Sequence, residues 1–351
     1  MNHWNVPLDL WAVPRYSAAA VPALLIALLL LLLAPPVRGE ETSLPPGERP
    51  VKVYAGFFLV NLSGVAERSE TFDADLYLNF RWQDSRLAFN GSEPKRFLED
   101  AAVAQLAAMW WPQIEFVNTA EPSITNRALE IRPDGTVRYR LGMTSEFRTN
   151  LDLRRFPFDR QRLEVRIESF LWGDHEMLFV ADETRIGFNP DNTFEGLVVA
   201  RAGAEIRRST VAGWGETFSE FVALIDVERQ AAFYLWTVFA PVVLIFLISC
   251  TVFVVPNENF HDRVGISLAA LLACIATQFA ISFNLPQISY LTVIDRVFLV
   301  TYSCVALGVL ISTLQASYLR ADPARALRVD RVAGLGLAGL YLALLVLCVW
   351  W

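Results

Sequence analysis

Cysteine is scarce in this chain of 351 residues, and none of it lies in the first two thirds. The four cysteines are Cys250, Cys274, Cys304 and Cys348, and each falls within a strongly apolar segment. The polar part of the chain therefore has no disulfide available. Its fold must be held by its own core and by contacts with neighbouring subunits.

The chain also lacks the residues and motifs that enzymes and metal sites commonly need. Its three histidines are His3, His175 and His261, and no two of them lie at the spacing of metal ligands. We find no glycine-rich phosphate loop and no G-x-S-x-G nucleophile motif. The net charge of -7 argues against nucleic acid as a partner. The sequence predicts a protein that is not an enzyme and that uses no cofactor or metal.

Apolar sequence is abundant instead, and it is concentrated at the two ends of the chain. Hydrophobic residues make up 54% of the total, which is high for a soluble domain. Residues 1–39 have the pattern of a signal peptide, with Arg15 before a leucine-rich run and small residues after it. A retained signal anchor is the alternative. In either case, residues 50–229 begin on the outer side of a membrane.

Four apolar segments form a predicted transmembrane domain over residues 230–351. They run over about 234–255, 264–285, 291–319 and 332–351, and each can cross a hydrocarbon core of about 30 Å as a helix. The linker between the third and fourth segments contains Arg320, Arg325, Arg328 and Arg331, so it is expected on the cytoplasmic side. These patterns predict a multi-pass protein of the bacterial inner membrane with its N-terminal domain in the periplasm.

The polar part shows the alternation that is typical of half-buried strands. Apolar and polar residues alternate over 72–82, 137–143 and 163–167. Asp134-Gly135 predicts a hairpin turn, and residues 97–111 predict one short amphipathic helix. Many short strands over about 180 residues indicate an all-β, immunoglobulin-like sandwich.

One segment carries a more specific resemblance. Phe156-Pro157-Phe158-Asp159 and the nearby Gln161 resemble the centre of the Cys-loop in the pentameric ligand-gated ion channels, the Cys-loop receptor superfamily. The flanking cysteines of animal members are replaced here, as they are in prokaryotic members. Further motifs follow in the family's order: Trp82-Gln83-Asp84, residues 111–118, Arg229 before the first span, and Asn284-Leu285-Pro286 after the second.

The resemblance implies a homopentamer in which the chain meets four identical subunits within the lipid bilayer. Such a channel passes monovalent cations and opens when a small-molecule agonist binds between neighbouring sandwiches. The alternatives that we keep are a pH-gated channel of the same family and a non-conducting, membrane-anchored periplasmic sensor. A four-span membrane enzyme would need polar catalytic groups in its spans, and we find none.

The resemblance assigns the second apolar segment to the pore. The predicted pore-lining residues are Asp262, Gly265, Ala269, Leu272, Ala276 and Phe279. Without the resemblance, the opposite and more polar stripe of Ser267, Cys274 and Gln278 would be turned toward water. We follow the family register because Arg263 and Pro286 mark both ends of the segment. Leu272 and Phe279 are then expected to form rings that gate by dewetting, and Ser267 can bond to a backbone carbonyl.

Five copies of Asp262 would form an acidic ring at the cytoplasmic mouth, and such rings select cations. The anion-selective members of the family carry an extra Pro-Ala here, which this sequence does not have. The alternative for Asp262 is a surface carboxylate that pairs with the adjacent Arg263.

The resemblance also implies the ligand-binding and coupling residues. The predicted ligand-binding set is Tyr77, Glu115, Asn118, Arg140, Glu168, Phe170, Trp214 and Phe218. Glu115 and Glu168 match positions that contact primary amines in a prokaryotic member, which favours an amine agonist. Arg140 brings a positive charge to the same site. A carboxylate agonist, or gating by protons alone, therefore remains an alternative. The predicted coupling set is Phe156, Pro157, Phe158, Asp159, Arg229 and Pro286, with an ion pair between Asp159 and Arg229.

Overall fold

A computed structural model of the chain describes residues 42–119, 121–191, 193–194, 196–210, 215–256, 259–283, 288–318 and 323–350. The predicted signal peptide lies outside these ranges, as do Trp214 of the predicted ligand site and Pro286 of the predicted coupling set. The described residues form an N-terminal β-sandwich followed by four long helices.

The sandwich contains two sheets. Its described strands are, in chain order, β1 (Val51–Ala66), β2 (Thr71–Gln83), β3 (Lys95–Leu98), β4 (Ile114–Phe116), β5 (Ser123–Ile131), β6 (Thr136–Arg148), β7 (Arg160–Ser169), β8 (Met177–Ala181), β9 (Gly187–Phe188), β10 (Thr193–Phe194), β11 (Leu197–Thr210) and β12 (Thr217–Arg229). The first sheet has the order β3-β5-β6-β2-β1-β8, with β9 also beside β1. The second has the order β10-β11-β12-β7-β4. Strands β8 and β9 run parallel to β1, and the other pairs are antiparallel.

The alternating pattern of β2 explains how the first sheet packs. Its apolar positions from Phe72 to Trp82 are buried against the second sheet, while Asp73 and Tyr77 on the other face are exposed. Trp82 meets Trp110 edge to face, with ring centroids 6.0 Å apart. Aromatic packing of this kind supplies the core of a domain whose described part contains no cysteine. The all-β sandwich predicted from the sequence is therefore confirmed.

The short helix α1 (Glu99–Ala107) occupies only the centre of the segment predicted to be helical. Phe97 and Leu98 belong to β3 instead, where they pair with Leu129 and Ala128 of β5. These residues are in a strand because their backbone groups pair with β5 at the edge of the sheet. Local helix propensity does not predict such pairing.

Four helices follow the sandwich: α2 (Ala232–Phe253), α3 (Phe260–Ser282), α4 (Val293–Tyr318) and α5 (Pro323–Trp350). All four contain stretches long and apolar enough to cross a membrane, with mean hydropathies of 2.4, 2.1, 2.2 and 2.5. Helices α3 and α5 begin earlier than the apolar segments predicted, because their first turns carry polar residues that hydropathy does not detect.

The helices pack so that one face of α3 stays uncovered. Helix α3 contacts α2 and α4, whereas α5 packs on α4 and α2. Phe246 of α2 stacks on Tyr341 of α5 with centroids 3.8 Å apart, and the Tyr341 hydroxyl lies 3.1 Å from Thr301 Oγ1 of α4. Helix α5 is thus the outer helix of the bundle, on the side away from the free face of α3.

Candidate functional site

The uncovered face of α3 carries the predicted pore residues. Leu272 and Phe279 are 57% and 63% exposed, although both are large and apolar. All six predicted positions are exposed in the single subunit: Asp262, Gly265, Ala269, Leu272, Ala276 and Phe279. A face of this kind can be covered by lipid or by the same face of neighbouring copies around an axis.

The polar stripe of α3 is turned inward and its groups are satisfied within the subunit. Ser267 is buried and its hydroxyl donates to the Arg263 carbonyl oxygen at 3.1 Å. Cys274 is fully buried. The Tyr302 hydroxyl of α4 donates to Gln278 Oε1 at 2.6 Å. The polar residues therefore bind the bundle together, and the apolar line is left facing outward.

At the base of α3, Arg263 is directed away from Asp262 and into the bundle. Its side chain is 1% exposed, and its guanidinium donates to both carboxylate oxygens of Asp330 on α5, at 3.1 and 2.9 Å. Ser312 of α4 also accepts from it at 3.3 Å. Asp262 in the first turn is exposed. The structure thus disfavours the alternative in which Asp262 is neutralised by its neighbour.

The junction between sandwich and helices contains a buried ion pair. Arg229 Nε donates to Asp159 Oδ1 at 2.9 Å, and the same guanidinium contacts Glu67 Oε1 at 2.8 Å. Gln161 donates to Asp159 Oδ2 at 2.6 Å. Burial disfavours the charge of Arg229, but the attraction of Asp159 and Glu67 outweighs it and the pKa of the guanidinium is raised. The ion pair predicted between Asp159 and Arg229 is present.

Aromatic contacts extend this junction to the helices. Phe156 meets Tyr234 of α2 with centroids 4.8 Å apart, and Phe158 meets Phe239 at 5.9 Å. The Tyr290 hydroxyl, from the segment before α4, accepts the Leu153 N–H at 3.1 Å. The segment around Phe156 therefore contacts both α2 and the connection that follows α3. These contacts join the sandwich to α2 and to the segment before α4.

Three glutamates lie side by side on the outer face of the second sheet. Glu115 of β4 is opposite Glu168 of β7, and Glu220 of β12 is opposite Glu168 on the other side. Side chains in directly opposite positions lie about 4.5–5.5 Å apart at Cβ, so the carboxylates repel one another. Arg166 Nε donates to Glu220 Oε1 at 2.7 Å and offsets the negative charge of Glu220. Glu168 Oε2 is buried and has no hydrogen-bond partner among the described residues.

This environment raises the pKa of the Glu168 carboxyl above its ordinary value. Burial is the largest cause, and the charges of Glu220 and Glu115 act in the same direction. A hydrogen bond with Ser209 and the charge of Arg166 oppose the shift without cancelling it. A cation placed between Glu115 and Glu168 would relieve the repulsion and favour the ionised form.

The predicted aromatic residues differ in their availability to a ligand. Phe170 is 68% exposed beside Glu168, whereas Phe218 is 4% exposed and buried on the outer face of β12. Asn118 is engaged with the backbone of three other residues. Its amide donates to the carbonyl oxygens of Arg148 and Glu164, and its Oδ1 accepts the Arg166 N–H. Asn118 therefore joins the segment after β4 to β6 and β7, and its contact with a ligand stays a prediction.

The predicted ligand-binding residues fall into two groups that do not meet within one subunit. Glu115 and Glu168 lie on the second sheet, and Phe170 directly follows β7. Tyr77 of β2 and Arg140 of β6 are exposed on the opposite outer face of the sandwich, on the first sheet. A ligand can contact both groups only where the second sheet of one subunit faces the first sheet of another.

Sequence reasoning missed three residues of these sites. Glu67 and Asp330 are far along the chain from their arginine partners, and no local pattern identifies them. Glu220 could have been found, because it follows Phe218 at the two-residue period of β12 and so shares its face.

Comparison with known proteins agrees with this geometry. Residues 39–202 match the family described as neurotransmitter-gated ion-channel ligand binding domain. The chain is 27% identical over 321 residues to a proton-gated ion channel of Gloeobacter violaceus. The aligned region covers 90% of this chain and 87% of that channel.

Two receptor subunits from animals are also similar. The gamma-aminobutyric acid receptor subunit theta of Mus musculus is 26% identical over 278 residues, covering 75% of this chain and 42% of that subunit. The rho-3 subunit of Homo sapiens is 24% identical over 262 residues, covering 71% of this chain and 54% of that subunit. This chain thus spans about half the length of these receptor subunits.

The fold and the matched domain define a class of protein. It is a multi-pass membrane protein in which a ligand-binding β-sandwich precedes four membrane-spanning helices. This architecture is that of the pentameric ligand-gated ion channels, and the relatives that match along both domains are channel subunits. The chain is accordingly similar to ligand-gated ion channels in its sandwich and in its four helices.

Proposed function

We propose that five copies of the chain form a cation-selective channel in the bacterial inner membrane, with the sandwiches in the periplasm. The observation that carries the proposal is the free face of α3, where Leu272 and Phe279 are exposed and Asp262 is unshielded by Arg263. Rotational symmetry would bring five such faces around one axis. The apolar residues would then line the pore, and the carboxylates would form a ring at its cytoplasmic mouth.

Cation selectivity follows from the position of that ring. A ring of five carboxylates at a narrow mouth attracts cations and repels anions. Because Arg263 is engaged by Asp330 inside the bundle, its charge does not compensate Asp262 at the mouth. The permeant ions would be monovalent cations, and the rings of Leu272 and Phe279 would close the pore by excluding water.

The proposed agonist is a small molecule with a primary amine, bound between neighbouring sandwiches. Glu115 and Glu168 provide the negative charge and Phe170 an exposed aromatic face for it. A cation over an aromatic ring gains about 0.5–2 kcal/mol. Tyr77 of the adjacent subunit would close the site from the other side. Trp214 stays in the proposal as a ligand contact, and Phe218 stays as an aromatic residue of β12 on the same face as Glu220.

A pH-gated channel is the second candidate, and Glu168 is the observation that favours it. Its pKa is raised by burial and by Glu220 and Glu115, while Arg166 and Ser209 oppose the shift. Acidification would therefore neutralise this carboxyl before an ordinary one. The relative from Gloeobacter violaceus is described as proton-gated.

The deciding experiment is two-electrode recording after expression of the full chain, with primary amines, carboxylates and acidic pH applied in turn. We expect currents evoked by amines whose reversal potential in a KCl gradient follows potassium. A reversal potential that follows chloride would overturn cation selectivity. Binding of an amine without current under any of these stimuli would identify a non-conducting sensor instead.

A further inference from the structure

The first turn of α3 contains a histidine, His261, next to Asp262. Both side chains are exposed, and neither makes a hydrogen bond or an ion pair with any residue that the structure describes. The pore-lining set that the resemblance predicts includes Asp262 and omits His261. The imidazole of His261 is therefore an available ligand that neither the fold nor the proposed function uses.

Helical geometry places His261 close to the predicted pore line. Each residue of an α-helix is rotated by about 100° from the one before it, so His261 is offset from Gly265 by about 40°. Phe279, which belongs to the line, has the same offset of about 40° in the same direction. Asp262 is offset by about 60° in the opposite direction. The imidazole is therefore directed toward the axis at least as well as the carboxylate.

The pentamer of the proposed function would bring five copies of His261 and of Asp262 around the cytoplasmic mouth. A single subunit does not suffice for a metal site, because its described residues contain no group of three or more His, Cys, Asp and Glu side chains that could hold a metal ion. Neighbouring subunits would supply the missing ligands. The spacing of histidines along the chain gives no indication of a site that is completed by symmetry.

The charges near His261 favour a bound cation. Arg263 donates to both carboxylate oxygens of Asp330 inside the bundle, so its charge does not oppose a cation beside Asp262. The N-terminus of α3 carries a partial positive charge of about half an elementary charge, which the full negative charge of Asp262 exceeds. Each subunit would therefore contribute a net negative charge to the mouth.

The turns above His261 leave room for an ion that keeps some of its water. Gly265 and Ala269 carry almost no side chain, whereas Leu272 and Phe279 further along the same face are large. A Cβ added at Gly265 would meet no atom of its own subunit within 4 Å. The lower part of the pore line is therefore less crowded than the part that holds the apolar rings.

We propose that the rings of His261 and Asp262 bind one transition-metal ion of the Ni²⁺ and Zn²⁺ class on the axis of the pore. Imidazole nitrogen suits these ions, whereas Mg²⁺ and Ca²⁺ take oxygen ligands. The carboxylates add oxygen ligands and negative charge. A bound ion would occupy the cytoplasmic mouth and inhibit the flow of monovalent cations.

This inference rests on the pentamer of the proposed function. It differs from the acidic ring of Asp262, because carboxylates alone would not favour Ni²⁺ over Mg²⁺ through imidazole ligation. The preference for Ni²⁺ and its dependence on His261 are therefore the properties to measure.

Isothermal titration calorimetry with Ni²⁺ on the purified full-length channel, prepared without a polyhistidine tag, tests the site without any current. We expect about one tightly bound Ni²⁺ per five chains, as a site on the axis requires. Mg²⁺ should bind at least tenfold more weakly. His261→Asn should weaken Ni²⁺ binding at least tenfold and keep the melting temperature, since His261 is exposed. Equal Ni²⁺ affinity of wild type and His261→Asn would overturn the proposal.

His175→Asn is the matched control, because His175 is the other histidine among the described residues and lies in the sandwich with its ring against Gly173. This variant should bind Ni²⁺ as the wild type does. Binding of about one Ni²⁺ per chain that His175→Asn removes would place the metal in the sandwich and contradict the proposal. Mg²⁺ binding as tight as that of Ni²⁺ and unchanged in His261→Asn would indicate an acidic ring without an imidazole ligand, which also contradicts it.

Currents from inside-out patches separate this inference from the proposed function. Ni²⁺ on the cytoplasmic side should reduce the current of wild type and of His175→Asn, and His261→Asn should be resistant. One Ni²⁺ per five chains in a protein that passes no current would support the site and overturn the channel proposal. Cation currents that cytoplasmic Ni²⁺ does not change, in a protein that binds no Ni²⁺, would support the channel and overturn the site.

Discussion

Arg263 of α3 and Asp330 of α5 form a two-point ion pair inside the bundle, with N–O distances of 3.1 and 2.9 Å. Both side chains are almost completely buried. The pair joins the base of α3 to α5 across α4, whose Ser312 also accepts from Arg263. It therefore determines how the first turn of α3 is held, and it directs a positive charge into the bundle and away from the exposed Asp262.

Asp330→Asn should destabilise the channel because it leaves Arg263 buried without its countercharge. Breaking one side of a buried ion pair costs about 3–5 kcal/mol. The melting temperature of the purified pentamer, followed by size exclusion after heating, should fall well below that of wild type. Asp262→Asn is the matched control, since Asp262 is exposed beside the same arginine. If both variants have the melting temperature of the wild type, the ion pair between Arg263 and Asp330 does not stabilise the channel.

Asp262→Asn should change ion selectivity while leaving stability unchanged. Neutralising all five carboxylates removes the attraction of the mouth for cations. The reversal potential in a KCl gradient should move from the potassium value toward zero or beyond it. Asp262→Glu keeps the charge and should keep the wild-type reversal potential. A potassium-selective Asp262→Asn channel would show that selectivity arises elsewhere in the pore.

Cysteine accessibility tests which face of α3 meets water. In a background where Cys250, Cys274, Cys304 and Cys348 are replaced by alanine, a charged thiol reagent should modify Ala269→Cys in the open channel and leave Ser267→Cys intact. Ser267 is buried and bonded to Arg263, whereas Ala269 is exposed. Block of current by the reagent gives the readout. Modification of Ser267→Cys with Ala269→Cys protected would reverse the pore register.

Local patterns in the sequence were sufficient to predict the sandwich and to predict which side chains of its strands face the core. The alternation from Phe72 to Trp82 predicts a strand with one buried face because burial rewards each apolar residue on that face separately. The same kind of pattern could not predict which face of α3 is turned toward the other helices. Its polar stripe could be satisfied by water or by protein, and only the contacts with Tyr302 and the Arg263 carbonyl show which partner it has.

The remaining features depend on residues that are distant in the chain. Glu67 and Asp330 become partners of Arg229 and Arg263 only when strands and helices pack, and no spacing rule identifies such pairs. The amide of Asn79, which has no hydrogen-bond partner among the described residues, cannot be identified from the sequence, where Asn79 is one polar position in an alternating strand. The backbone hydrogen bonds of Asn118 were not predicted either, because the carbonyl groups of Arg148 and Glu164 lie 30 and 46 residues further along the chain.

Asp159→Asn should uncouple ligand binding from opening. It removes the charge of one of the two carboxylates that contact buried Arg229 but leaves Glu67 at 2.8 Å, so the loss of stability should be below the about 3–5 kcal/mol of a fully broken buried pair. The agonist concentration for half-maximal current should rise at least tenfold, while the agonist affinity of the closed channel stays the same. Asp226→Asn on the same strand as Arg229 is the control, since it breaks an exposed pair with Arg162. Normal currents from Asp159→Asn would refute the role of this ion pair in gating.

Glu168 should make agonist binding depend on pH. Because its folded-state pKa is raised, the folded protein binds a proton that the unfolded chain releases, between the ordinary carboxyl value and the raised one. Folding stability contributed by Glu168 therefore falls as pH rises through this window, and the ionised carboxylate that would bind an amine forms only above it. Amine affinity, measured by calorimetry on the purified channel, should drop as the pH is lowered through the same window.

The variant Glu168→Gln should bind amines weakly at every pH and should lose the pH dependence of stability in this range. Glu164→Gln on the same face of β7 is the matched control, because its carboxylate is paired with Arg207 at 2.9 Å and lies away from Glu115. It should keep both the affinity and its pH profile. If acid alone evokes current in wild type and Glu168→Gln abolishes that current, protonation of Glu168 opens the channel. The amine would then not be the primary agonist.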